Sequence, residues 1–349
     1  MFVDAYDVGP IRPPSEAGSL LIRVNRNCPW NKCEFCMVYK GEKFEKKSVE
    51  EVKGDIDAAA KFYGARSSAI RTAFLQDANA LIMKTDDLVE VIRYLKEKFP
   101  AVDRITTYGR NPTIARKSVD ELRRLKDAGL SRVHVGLETG YGPLLEYIRK
   151  GATPEEQVEA GQKVVEAGLS LSEYVMPGLG GKGMSREHAV ETARVLNRIN
   201  PDYIRLRSTS VRPDTPLYEK MQRGDFEPLN DEETVREIRL FIETLDGISS
   251  NIVSDHMLNL LQEIEGKLPD DKQQMLDTID RFLSLPEDEK RLFQVGARLG
   301  IFRSVDDLRH NYLRSRAEQV MDRINREIET RGPGFTVEDF IQEALHGIM

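Results

Sequence analysis

The chain has 349 residues, of which 40% are hydrophobic and 31% charged, a composition that excludes a disordered or fibrous protein. That length allows one large domain with a smaller one, or two ordinary domains. Lys and Arg total 51 against 58 Asp and Glu, so the net charge is -7, which argues against a dedicated nucleic-acid binder. The opening Met1-Phe2-Val3-Asp4-Ala5-Tyr6-Asp7 has neither a basic stretch nor an apolar core, and no run approaches the roughly 20 apolar residues of a membrane helix. A cytoplasmic protein without signal peptide or membrane contact is therefore expected.

A first strand is expected over residues 20–25. It leads straight into Asn27-Cys28-Pro29-Trp30-Asn31-Lys32-Cys33-Glu34-Phe35-Cys36, which holds all three cysteines of the chain in a C-x4-C-x2-C pattern. The basic residues from Lys40 to Lys47 are interleaved with acidic ones and suit a solvated loop. Ser48 with Glu51 resembles a capping box at a helix start. The second strand, 69–75, ends in Gln76-Asp77-Ala78-Asn79, where an acidic residue suits either a turn or an ammonium group.

The third strand, 104–108, ends at Tyr108, and Ser118 with Glu121 opens the following helix. The fourth, 132–136, runs into Leu137-Glu138-Thr139-Gly140, and Thr153, Pro154 and Glu156 start the next helix. The fifth strand, 169–176, contains Tyr174 and is followed by Pro177-Gly178-Leu179-Gly180-Gly181-Lys182-Gly183. Taken alone this is a G-x-G-x-x-G dinucleotide fingerprint, although that motif ordinarily follows the first strand of its unit. The sixth strand, 203–209, carries Arg205 and Arg207 on one face. Turned inward, they would suit a carboxylate or phosphate; turned outward, they are solubility charges. Asn230 with Glu233 opens one more helix.

After about Gly247 the strand signal stops, and 254–330 is expected to be helical, with breaks at Gly266-Lys267-Leu268-Pro269 and Leu285-Pro286-Glu287-Asp288. Thr336 opens another short helix. Ser254 and Asp255 look like the N-cap of a helix, with His256 beside them as a candidate acid–base residue over the site. His188, His310 and His346 show no partners in the sequence. These features divide the chain at 1–246 and 247–349. Six strands alternating with helices predict an α/β fold with a parallel sheet, too short for an eight-stranded barrel. An open doubly wound sheet and a partial barrel both remain compatible with the pattern.

Three clustered thiols are soft ligands for zinc or an iron–sulfur cluster. A structural zinc site needs a fourth protein ligand, no further cysteine exists, and the nearest histidine along the chain is His134. Three thiolates on a four-iron cluster would leave one iron open to a small molecule. Three inert buried cysteines are the third option.

In this loop, with Phe35 immediately before Cys36, the sequence resembles the radical S-adenosylmethionine (SAM) superfamily. That family's commonest first gap has three residues where this chain has four. The Glu138-Thr139-Gly140 strand end is similar to the branch containing oxygen-independent coproporphyrinogen oxidase and the methylthiotransferases. The resemblance implies a partial (βα)6 barrel with a C-terminal helical domain, and a [4Fe-4S] cluster held by Cys28, Cys33 and Cys36. It implies that the open iron is chelated by SAM, which is cleaved to a 5′-deoxyadenosyl radical that abstracts a substrate hydrogen. Phe35, Gln76, Asp77, Glu138, Tyr174, Gly178, Gly180 and Gly181 would then hold SAM, while Tyr108, Arg205 and Arg207 would face the substrate. An anaerobic setting and a low-potential electron donor of flavodoxin or ferredoxin type follow, with a small-molecule substrate favoured over nucleic acid. Two other readings stand beside it: a non-catalytic cluster, SAM or haem carrier of the same fold, and a nucleotide-linked oxidoreductase built on the glycine turn.

Overall fold

The computed structural model describes residues 5–332, 334–337 and 339–340. Its main sheet runs β1 (Leu20–Arg23), β2 (Thr72–Gln76), β3 (Arg104–Gly109), β4 (Leu130–Glu138), β5 (Ser170–Val175), β6 (Tyr203–Leu206), β7 (Asn251–Val253) and β8 (Gly266–Lys267). Spatial order equals chain order throughout; β1 to β7 are parallel and β8 is antiparallel to β7. A doubly wound sheet reverses its order at a switch point. No reversal occurs here, so the partial-barrel alternative is the one realised.

The intervening helices are α1 (Val49–Tyr63), α2 (Thr85–Lys98), α3 (Val119–Ala128), α4 (Pro154–Glu166), α5 (Gly181–Ile199) and α6 (Asp231–Thr244). Four of them start where the sequence says, because the capping boxes at Ser48, Ser118, Thr153 and Asn230 each make both reciprocal hydrogen bonds. Each cap contributes on the order of 1 kcal/mol. Strand residues Ile22, Leu75, Ile105, Val133, Leu171 and Ile204 join one hydrophobic cluster with Ile56, Ile92, Leu125, Val164, Leu196 and Ile242 of the helices. The alternate residues face the barrel interior and are largely polar or aromatic. Phe74, Tyr108, His134 and Tyr174 form a ring column there, with His134 stacked on Tyr174 at 5.9 Å. Glu16 closes the floor of this column, its Oε1 3.5 Å from His134 Nε2.

Two expectations are corrected. Strands do not stop near Gly247: β7 and β8 extend the sheet, so a division at 246/247 falls between α6 and the strand it leads into. With three and two residues, these strands are too short to show a period-2 pattern. Nor does a helix open at Ser254. That segment is a loop, because its side chains bond elsewhere than to helix N–H groups: Ser254 Oγ donates to Leu261 O (3.0 Å), and Asn259 Nδ2 donates to Leu206 O (3.0 Å). Beyond it lie α7 (Lys272–Leu283), α8 (Glu287–Arg298) and α9 (Asn311–Arg331). Phe293 stacks on Phe302 and meets Phe282 at a tilt there, and all three belong to the same hydrophobic cluster as the sheet. Residues 1–4 and His346 lie outside the described residues.

Candidate functional site

The C-terminal ends of the parallel strands carry the loops with most of the chemistry-bearing residues, as in other parallel α/β folds. The loop after β1 presents Cys28, Cys33 and Cys36 as free, partly buried thiols. Its path turns at Asn27 and Asn31, which adopt left-handed backbone (φ 67° and 48°), a conformation asparagine tolerates. Lys40 Nζ donates to Asn31 O (3.2 Å) and Cys33 O (3.0 Å), and Asn27 Nδ2 donates to Lys43 O (2.6 Å). Trp30 Nε1 donates to Arg149 O (2.7 Å), and the indole lies flat on Gly151, where any Cβ would come within 2.3 Å of the ring. Glu34 N donates to Ile148 O (2.9 Å) and its O accepts from Leu217 N (3.0 Å). Phe35 packs against a small apolar cluster that includes Leu144, Leu179 and Leu217.

Burial pushes the Cys33 thiol up, while the charge of Lys150 and then that of Arg110 draw it down. Burial likewise raises Cys36, opposed by Lys150 and Lys40 among others. Cations thus face the sulfurs. Among the described residues no three His, Cys, Asp or Glu side chains converge on a position for a single metal ion. With no fourth cysteine to complete a structural zinc site, three thiols backed by positive charge suit a multi-iron cluster in which each thiolate takes a different iron.

Glu138 ends β4 in left-handed conformation (φ 64°) at a register shift against β5. Its Oε1 accepts from Lys150 Nζ at 2.7 Å and lies over Gly136, where a Cβ would approach it to 2.1 Å. Glycine at 136 is what leaves room for the carboxylate. The turn after β5 has Gly178 at φ 82° and Gly181 at φ 54°; a Cβ on Gly181 would stand 2.5 Å from Glu227 O, and one on Gly180 3.0 Å from Met184 backbone.

A buried network joins these two strand ends, and sequence reasoning missed it. His188, expected to be without partners, bonds Thr139 Oγ1 through Nδ1 (2.8 Å) and Met176 O through Nε2 (3.0 Å). Glu237 accepts from Gly178 N (2.7 Å) and from Ser185 Oγ (2.5 Å), and Gln157 Nε2 donates to the carbonyls of Leu137 and Thr139. The available signal was His188 and Thr192 one turn apart on the helix behind the glycine turn.

Gln76 and Asp77 do not join Glu138. Gln76 accepts from Gly9 N (3.0 Å) and donates to Gly9 O and Ile11 O, and fully buried Asp77 pairs with Arg23 (2.7 Å) and accepts from Tyr39 OH (2.5 Å). Their polar atoms hold the N-terminal segment and the cysteine loop in place. Tyr108 and Tyr174 line the interior; Arg205 and Arg207 do turn inward, and Arg207 lies over the Tyr174 ring at 5.0 Å. Asp255 bridges both guanidiniums, at 3.0 Å from Arg205 and 2.8 Å from Arg207. His256 follows on the same loop, its imidazole lowered to about 4 by burial and by the Arg207 charge, so it is neutral at pH 7.

Part of the chain is 30% identical over 116 residues to the tRNA uridine(34) acetyltransferase of Methanocaldococcus jannaschii, covering 33% of this chain and 21% of that protein. Another match, 30% over 109 residues, is to the heme chaperone HemW of Bacillus subtilis, covering 31% and 28%. The matched part thus spans 21% and 28% of the length of these two curated relatives. Among solved structures, coproporphyrinogen III oxidase of Escherichia coli superposes with a TM-score of 0.50 at 14% identity, over 65% of this chain and 52% of that one, a likeness of fold. The family model of the Radical SAM superfamily matches residues 22–196, half of the chain, from β1 through the cysteine loop into α5. The chain belongs to that superfamily, whose cofactors are a [4Fe-4S] cluster and SAM.

Proposed function

We propose that this chain is an enzyme that cleaves SAM reductively and uses the product on a small-molecule substrate. The observation that carries this reading is the cysteine loop: the only three cysteines of the chain are free thiols, faced by Lys150 and Arg110. Cys28, Cys33 and Cys36 would hold three irons and leave the fourth to the amino and carboxylate groups of SAM. When bound, the cluster supplies the electron that splits the sulfonium C–S bond, giving methionine and a 5′-deoxyadenosyl radical that takes a hydrogen atom from the substrate.

The protein positions and encloses. Glu138, fixed by Lys150, would accept hydrogen bonds from the ammonium or ribose of SAM. Phe35 and the turn through Gly178, Gly180 and Gly181 would flank the adenine, with Tyr174 lining the cavity below. Gln76 and Asp77 act from behind, by bracing the loop through Arg23 and Tyr39. A flavodoxin- or ferredoxin-type protein would deliver the electron, in an anaerobic cytoplasmic setting. A net charge of -7 favours a small molecule over nucleic acid. Among the described residues no helix is long and apolar enough to cross a membrane.

A second reading, a non-catalytic haem or cluster carrier, draws on the similarity to the heme chaperone. Anaerobic reconstitution with iron and sulfide, followed by SAM and dithionite, separates the two. Release of 5′-deoxyadenosine by the wild type and not by Cys33→Ala is the expected result. A loaded cluster that yields no product, together with haem binding, would favour the carrier, and failure to take up any cluster would overturn the enzyme reading.

A further inference from the structure

We propose that the substrate carries an anionic oxygen group, a carboxylate or phosphate, received by Arg207 and His256 where β6 meets the loop after β7, with Asp255 as the internal counter-ion this group displaces. The inference rests on the radical reading only for the identity of the substrate, since the anion site is built from this chain alone.

Two guanidiniums share one carboxylate. Arg205 is buried, donating Nε to Ser172 Oγ (3.2 Å) and Nη1 to Asp255 Oδ2 (3.0 Å). Arg207 donates Nη1 to Asp255 Oδ1 (2.8 Å) and to Leu206 O (3.2 Å), but its Nη2 is buried with no hydrogen-bond partner. His256 Nδ1 is buried and unpartnered as well. Buried polar atoms without partners are rare in native proteins; the Arg207 Nη2–H asks for an acceptor, and His256 Nδ1 joins it in the tautomer that protonates that nitrogen. The Glu138 carboxylate is committed to Lys150. One positive charge is left over in a wall lined by Tyr174, which suits a guanidinium fork closing on a planar or tetrahedral oxyanion. Asp255 sits on an irregular loop with its side chain 31% exposed, so an incoming anion would displace it outward while Ser172 keeps Arg205 in place.

The test uses the full chain, titrated calorimetrically with inorganic phosphate and with acetate, and in parallel with SAM after cluster reconstitution. Wild type is expected to bind one anion. Asp255→Asn should bind it about tenfold more tightly, because the competing carboxylate is gone, and Arg207→Gln about tenfold more weakly or worse. His256→Gln, on the loop after β7, gives a second weakening that does not depend on how well Arg207→Gln folds. Tighter phosphate assigns a phosphorylated substrate, and tighter acetate a carboxylated one. Absence of anion binding in the wild type, or equal affinity in wild type and Asp255→Asn, overturns the proposal. So does an Arg207→Gln loss of SAM affinity as large as its loss of phosphate affinity, since the arginine would then serve the SAM carboxylate. Anion binding that persists in a protein unable to release 5′-deoxyadenosine would sink the radical reading and leave the anion site supported.

Discussion

Replacing Lys150 by Met tests whether the Glu138–Lys150 pair is the electrostatic anchor of the site. The two groups meet at 2.7 Å, and their side chains are only 13% and 12% exposed. Removing one partner of a buried pair costs about 3–5 kcal/mol, because the other charge remains without compensation. The residual exposure puts this pair at the lower end, about 3 kcal/mol. For a large domain each kcal/mol moves the thermal midpoint by roughly 2–4 °C, so Lys150→Met should melt on the order of 10 °C below wild type. Glu138→Gln leaves Lys150 facing Arg110 and should also destabilise. The double variant removes both charges and should recover most of the loss, giving a coupling energy of about 3 kcal/mol. Calorimetric melting of the four proteins in one buffer measures the cycle. Strictly additive single effects would refute the reasoning, since two groups that do not rely on each other cannot rescue each other.

Glu173 is buried with both carboxylate oxygens unpartnered, and burial, reinforced by the Glu138 charge, holds its carboxyl well above the usual carboxylate range. The folded state therefore keeps this proton to higher pH than the unfolded chain, and stability is lost as pH rises from about 4.3 through the folded value. Glu173→Gln should be more stable than wild type at pH 7.5 with the advantage shrinking towards pH 4.5; a denaturant midpoint difference that ignores pH would reject this. Gly181→Ala should weaken SAM binding at least tenfold by forcing a Cβ towards Glu227 O, whereas Gly183→Ala, where a Cβ meets nothing within 4 Å, should leave it unchanged. Equal losses at both would instead favour the dinucleotide fingerprint. The His256 imidazole should titrate near pH 4 by nuclear magnetic resonance, and a midpoint near 6.5 would contradict its burial beside Arg207.

What was legible in the sequence was local. Ser48 with Glu51, and the three other capping pairs, need only a four-residue window, and all four open helices as expected. Arg205 and Arg207 share a face because strand geometry alternates, but only the structure shows that the face is the inner one. The contacts that escaped are those made between distant segments. His188 finds Thr139 across 49 positions and Glu237 finds Gly178 across 59, distances at which no periodicity carries information. Asp77 has the residue type of a ligand-binding carboxylate, yet its partners Arg23 and Tyr39 are 54 and 38 residues away and claim it for bracing. β7 was missed for the opposite reason, since its neighbours alone make three residues a strand.

The bracing of the cysteine loop has a consequence for how the protein ages. Every restraint on that loop described above, from Trp30 on Arg149 to Tyr39 on Asp77, is made between protein atoms. Small zinc modules unfold when their metal is lost, because the metal is what orders the chain. Here the loop has protein–protein restraints of its own, so its path does not rest on iron alone. Loss of the cluster is therefore expected to cost activity before it costs the fold.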